Sequence, residues 1–135
     1  EGGGDATPPP EPEYNDATTF PFVVSRADLD RGRERYDIHC APCHSKSGHG
    51  DGMVVRRGLR RPPSFHIDRL RDQTPGYLYD VVTRGFGAMP AYGNRIALRD
   101  RWAIVAYMRA LQLSQNARLE DVPDTARQQL AGGGS

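Results

Sequence analysis

The feature that most constrains this chain is a five-residue string, Cys40-Ala41-Pro42-Cys43-His44, which contains both of its cysteines. Cys-x-x-Cys-His is the spacing of a c-type haem attachment site. The two thiols add across two vinyl groups of one haem, and the adjacent imidazole turns under the ring to reach iron. On this reading Cys40 and Cys43 carry the covalent links and His44 is the proximal iron ligand. Three other uses compete. A Cys40–Cys43 disulfide closes a very small loop, stabilises little and leaves His44 without a role. A thioredoxin-like redox pair wants a βαβ setting, and no strand pattern precedes the motif. A zinc site would draw a further ligand from His39, His49 or His66, yet the second Cys-x-x-Cys of a zinc ribbon is missing.

A haem needs helices to wrap it and, for electron transfer, a second axial ligand. The chain of 135 residues suits one compact domain. Only 37% of its residues are hydrophobic, so an apolar cofactor would supplement the core. Ser25 with Asp28 three residues on is a capping-box pattern, opening a helix through Leu29, Gly32 and Tyr36 towards the cysteines. Residues 45–73 have glycines, Pro62-Pro63 and no clean period, and read as loops with short helical turns. Thr74 and Pro75 form a helix cap with a first-turn proline, and Gly85 closes that helix. Residues 98–113 form the strongest helix, with Trp102, Val105, Ala106, Arg109 and Leu113 on one face and Ile104, Tyr107, Met108 and Leu111 close beside it. Trp102 reads as a helix-packing residue. No repeat and no strand is evident, so the fold class is all-α.

The candidates for the second axial ligand are Met53, Met89, Met108, His39, His49 and His66. Met108 sits mid-helix on a core face, where methionine packs. His39 adjoins Cys40 on the proximal side. Met53 and His49 follow His44 by nine and five residues, a short chain to reach the other haem face. Met89 lies 45 residues beyond His44, in a glycine-flanked loop fixed by Pro90 between two helices. Met89 is the expected ligand.

Gly32 and Tyr36 ahead of Cys40-Ala41-Pro42-Cys43-His44, then Gly87-Ala88-Met89-Pro90, then the helix at residues 100–111 together resemble class I c-type cytochromes. The resemblance implies several short helices around one covalently bound haem c. It also implies that the first and last helices cross at Gly32 with Tyr107 or Tyr36. In that family a proline carbonyl after the motif accepts the proton of the proximal histidine; here that is Pro63, or else Pro62. Phe65, Leu70, Leu78, Val82 and Phe86 read as core, and in such a fold the core includes the haem faces, which makes Phe65 a haem contact. The strings RGRERYDIHCAPCHS, GDGMVVRRG and RPPSFHIDRLRD are similar to monohaem cytochrome c subunits associated with alternative complex III and with haem-copper oxygen reductases. That similarity implies an electron carrier, rather than an enzyme, between a quinol-oxidising respiratory complex and a terminal oxidase. It further implies a periplasmic, membrane-associated setting. The rival function is a haem enzyme or ligand sensor with a labile sixth iron site.

The expected organisation is an extension over residues 1–24, a cytochrome domain over 25–115 and a C-terminal extension over 116–135 with a short helix at 124–130. Residues 1–16 read as disordered or extended, whereas Phe20, Phe22, Val23 and Val24 carry enough apolar surface to clasp the lead onto the domain. No stretch approaches 18 consecutive apolar residues, and the acidic Gly/Pro-rich start suits a tether to a lipid anchor ahead of Glu1. Net charge is +1, but seven acids and one arginine fall in residues 1–30, leaving the remainder basic. Arg56, Arg57, Arg60, Arg61, Arg69 and Arg71 read as a solvated face, a docking patch or a source of pairing for a haem propionate. Nucleic acid is a poor partner for a chain near neutrality whose basic run has only Phe65 interleaved.

Overall fold

A computed structural model describes residues 13–14 and 17–116 of this chain. The predicted helix at residues 124–130 lies outside the described residues. Among the described residues six helices follow in order: α1 (Arg26–His39), α2 (Ala41–His44), α3 (Met53–Arg56), α4 (Asp68–Arg71), α5 (Pro75–Arg84) and α6 (Leu98–Asn116). Among the described residues there is no strand, only an isolated bridge between Phe86 and Met89. The fold is all-α, and residues 45–73 are loops around the one-turn helices α3 and α4.

Local signals set the helix starts. The Ser25 side chain accepts from the Asp28 amide, and the Asp28 carboxylate accepts from the Ser25 amide at 2.9 Å, so the capping box is complete. Thr74 Oγ1 accepts from the Tyr77 amide at 3.1 Å, Pro75 occupies the first turn, and Gly85 ends α5 at φ 79°.

The principal packing contact is α1 across α6. Gly32 is buried where the two backbones meet: a Cβ at this position would overlap the Ala103 carbonyl and lie 3.2 Å from the Tyr107 Cβ. The rings of Tyr36 and Tyr107 meet beside it, centroids 5.3 Å apart. Ion pairs hold the outer edges of the crossing. The Arg31 guanidinium reaches both oxygens of Asp100 at 3.0 Å, and Arg99 reaches Asp28 at 3.1 Å.

Helix α6 is buried over the broad apolar surface expected of it and beyond. Residues 101–106 are all buried, because α6 meets α1 on one side and α5 and the N-terminal segment on others. Leu113, expected inside, is 50% exposed, whereas Gln112 and Arg101 are buried. Gln112 Nε2 donates to the Phe65 carbonyl at 3.0 Å, and Arg109 donates to the Arg71 and Gln73 carbonyls. Loop carbonyls buried against a helix need donors from it, so polar side chains displace apolar ones there. Arg101 Nε donates to the Ile96 carbonyl and Nη1 to Thr83 Oγ1, both at 2.9 Å.

The N-terminal clasp forms with two of its four expected side chains. Phe20 meets Trp102 edge-on at 5.6 Å, and the Arg99 guanidinium lies 3.6 Å from the Phe22 ring centroid. Val23 is 91% exposed, since adjacent residues of a non-helical stretch point to different sides. The clasp also starts earlier than expected: Tyr14 packs edge-on against Tyr79 and Trp102 at 5.4 and 5.2 Å. Trp102 is fully buried and stacks on Tyr79 at 4.3 Å, a packing role.

The crossing makes a sharp prediction. Gly32→Ala gains about 1 kcal/mol of helix propensity, but its methyl group must force α1 off α6. Urea unfolding of the holoprotein should show a net loss of about 1–3 kcal/mol; unchanged stability would mean that the helices do not meet at this residue.

Candidate functional site

The end of α1 delivers the motif. The Cys40 amide still bonds the Tyr36 carbonyl at 2.8 Å, and the chain then turns into α2, where the His44 amide bonds the Cys40 carbonyl at 2.9 Å. The following loop folds back over this turn. The Gly50 amide donates to the His44 carbonyl at 2.9 Å and the Gly52 amide to the Cys43 carbonyl at 3.0 Å. Gly50 has φ 88°, and a Cβ there would lie 2.5 Å from the Pro62 carbonyl oxygen, so only glycine lets the loop close. Tyr36, fully buried, donates its hydroxyl to the Ser45 carbonyl at 2.6 Å and thereby ties α1 to the same loop.

Cys40 and Cys43 are both free thiols. Burial, and then the neighbouring Cys43, pushes the Cys40 thiol up to about 12. The His44 ring stacks on Phe65 with centroids 4.6 Å apart and 25° between planes. Burial pushes its pKa down to about 4, so the imidazole is neutral at pH 7, the form that donates a lone pair to a metal. His44 Nδ1 is buried without a hydrogen-bond partner. The bond expected from it to the Pro63 or Pro62 carbonyl is therefore not formed; with the ring laid on Phe65, Nδ1 meets no acceptor.

Cys40, Cys43 and His44 open onto a cavity of about 810 Å³, large enough for a sizeable organic ligand. Its walls are the loop at residues 59–65, the inner face of α5 with Leu78, Val81 and Val82, the loop at residues 86–90, and Met108 of α6. Pro63, Phe65 and Met89 all line it. Phe86 lines it as well but is 68% exposed. It was expected in the core, and it stands at the rim because its backbone is committed to a turn. The Phe86 amide donates to the Met89 carbonyl at 3.2 Å and the Met89 amide to the Phe86 carbonyl at 2.9 Å. This reciprocal pair fixes the backbone of Met89. The Tyr92 amide bonds the Val82 carbonyl at 3.0 Å, and the Tyr92 hydroxyl reaches the His39 carbonyl at 3.3 Å. The methionine loop is thus tied to both α5 and the end of α1.

The other ligand candidates separate by position. Met53 is 63% exposed on α3, and neither it nor His66 lines the cavity. His66 Nε2 is bonded to the Ser47 carbonyl at 2.7 Å. Met108 is buried in the cavity wall, His39 packs against Tyr92, and His49 lines the wall with Nδ1 2.8 Å from Ser47 Oγ. Among the described residues no three His, Cys, Asp or Glu side chains converge as a metal cluster. Sequence reasoning left Tyr92 out of the cavity. Its only signal was an aromatic residue three positions past Met89.

Two free thiols at Cys-x-x-Cys spacing, a neutral imidazole with a bare ring nitrogen, and an apolar cavity beside them fit one covalently bound haem c. Fold and site together define a c-type cytochrome of class I. The profile of the family described as cytochrome C oxidase, cbb3-type, subunit III matches residues 27–108, and the chain belongs to that family. It is 31% identical over 84 residues to cytochrome c6 of Porphyra purpurea, an alignment that covers 60% of this chain and 69% of that protein. Its fold is shared with a chain of the Kuenenia stuttgartiensis reducing HAO-like protein complex at a TM-score of 0.62 and 22% identity. That match covers 78% of this chain and 51% of the other, so the chain spans about half the length of this structural relative.

Phe65 supports His44 on one side and accepts from Gln112 through its carbonyl. Phe65→Ala should cost about 3–5 kcal/mol in denaturant unfolding of the holoprotein. A loss below about 1 kcal/mol would show that the ring does not pack as described.

Proposed function

We propose that this chain is a monohaem cytochrome that carries single electrons from a quinol-oxidising complex towards a terminal oxidase, with His44 and Met89 as its axial ligands. The observation that carries this reading is one cavity lined by Cys40, Cys43 and His44 from the motif and by Met89 from a backbone-pinned loop. When bound, haem supplies an iron that exchanges one electron at a time. The protein residues hold and tune it. Cys40 and Cys43 would hold it through thioethers, and neutral His44 would present a nitrogen lone pair. Met89 presents a thioether from a loop whose geometry is set by the Phe86–Met89 bonds.

A filled sixth position separates a carrier from a haem enzyme or ligand sensor, which needs that position vacant or labile. The reciprocal backbone bonds set the turn that carries Met89 at the cavity, which favours the filled state. Membership of a family described by an oxidase subunit supports the terminal-oxidase end of the route. Covalent attachment suits an extracytoplasmic setting where a lost cofactor is not replaced. Among the described residues no helix is long and apolar enough to cross a membrane, so a membrane association would come from outside those residues or from a partner.

Methionine opposite histidine raises the reduction potential relative to two histidines. Met89→His should lower the midpoint potential and abolish the methionine-to-iron absorption band. Met53→Leu and Met108→Leu should retain both. If Met108→Leu abolishes the band while Met89→His leaves it, the sixth ligand is Met108, and a high-spin spectrum in the parent protein would favour the enzyme or sensor reading.

A further inference from the structure

A haem brings two carboxylates with it, and its site must accommodate them. A carboxylate set against apolar walls is unfavourable unless a cation or several donors meet it. The arginines among the residues that line the cavity are Arg60, Arg61 and Arg69. The other arginines of the basic run are placed differently. Arg56 pairs with Asp51 at 3.7 Å and Arg71 with Asp68 at 2.9 Å, and neither they nor Arg57 line the cavity.

Of the three lining guanidiniums, Arg61 is the one the fold anchors. Its Nη2 donates to the His49 carbonyl at 3.1 Å. Its Nε lies 3.6 Å from where a Cβ of Gly50 would stand, so the guanidinium rests against the turn that also bonds the His44 carbonyl. No ion pair joins it to a carboxylate among the described residues; the Asp51 carboxylate feels its charge but is bonded to Ser45 and lies 3.7 Å from Arg56. One N–H is committed to a carbonyl, which leaves four donors in a planar fork suited to a carboxylate.

We infer that Arg61 holds a haem propionate and that the turn at residues 48–52 is the device that positions it. This inference rests on the haem-binding reading above. It has an electrostatic consequence. Ferric haem carries one more positive charge than ferrous haem, so a guanidinium at its edge disfavours the oxidised form and raises the potential. Removing that charge should lower it.

The test is the midpoint potential of the holoprotein in Arg61→Gln, Arg61→Lys, Arg60→Gln, Arg69→Gln and Arg57→Gln. Arg57→Gln removes the same charge from the same run outside the cavity, and so measures the general field. Arg61→Gln should lower the potential more than any of the other three glutamine variants, with the low-spin spectrum intact. Arg61→Lys should fall between parent and Arg61→Gln, because it keeps the charge and loses the fork. Equal shifts in Arg61→Gln and Arg57→Gln would overturn the inference, as would a larger shift in Arg60→Gln or Arg69→Gln. Loss of the low-spin spectrum in Arg61→Gln would also overturn it, by showing a role in ligation instead. A parent chain that carries no haem defeats the functional reading itself, whereas a haem-bearing parent with uniform shifts defeats only this assignment.

Discussion

The close approach of α1 to α6 at Gly32 is the contact on which the remaining structure depends. With no side chain between them, the backbone of α1 lies against the Ala103 carbonyl. That distance decides where the far end of α1 arrives. Tyr36, one turn on, is fully buried against Tyr107 and fixes Ser45 through its hydroxyl. Cys40 then enters α2 at the cavity wall, and His44 is carried onto Phe65. A larger residue at position 32 would move all of these together.

The second requirement is polar. Residues 45–73 are mostly loop, and loops packed against a core bury carbonyl groups that need donors. Glycine amides serve the α2 turn, Arg61 serves His49, and Gln112 and Arg109 of α6 serve Phe65, Arg71 and Gln73. The same side chains that satisfy the loop therefore shape the cavity. This is why a chain with a modest apolar fraction can still hold a rigid site: its irregular segment is fastened by directional bonds as well as by packing.

What could be read from the sequence was what short stretches decide for themselves. The caps at Ser25 and Thr74 and the stop at Gly85 each rest on a few adjacent residues, and the structure places them as their chemistry requires; the Cys-x-x-Cys-His motif is as local, and its cysteines and histidine line one cavity. Gly32 was legible as a crossing point because a glycine four residues before an aromatic has few other uses, and Met89 as a residue of the cavity-lining loop because it sits in the string Gly87-Ala88-Met89-Pro90 between two helices. Residues whose neighbours are distant in sequence were not legible. Gln112 and Arg101 are buried because loop carbonyls and Thr83 need their protons. Leu113 and Phe86 are exposed because helix rotation and turn geometry leave them outside. Tyr14 gave no periodic signal, yet its ring packs edge-on against both Tyr79 and Trp102. In each case a tertiary demand overrode local preference.

The central claim is that this fold exists to hold one haem through Cys40 and Cys43. Intact mass spectrometry of the denatured protein, made where haem-attachment machinery is present, addresses it most directly. The account predicts a chain heavier than its sequence by one haem, with the addition surviving denaturation because both links are covalent. A chain at its bare sequence mass, or one that sheds its haem on unfolding, would contradict it.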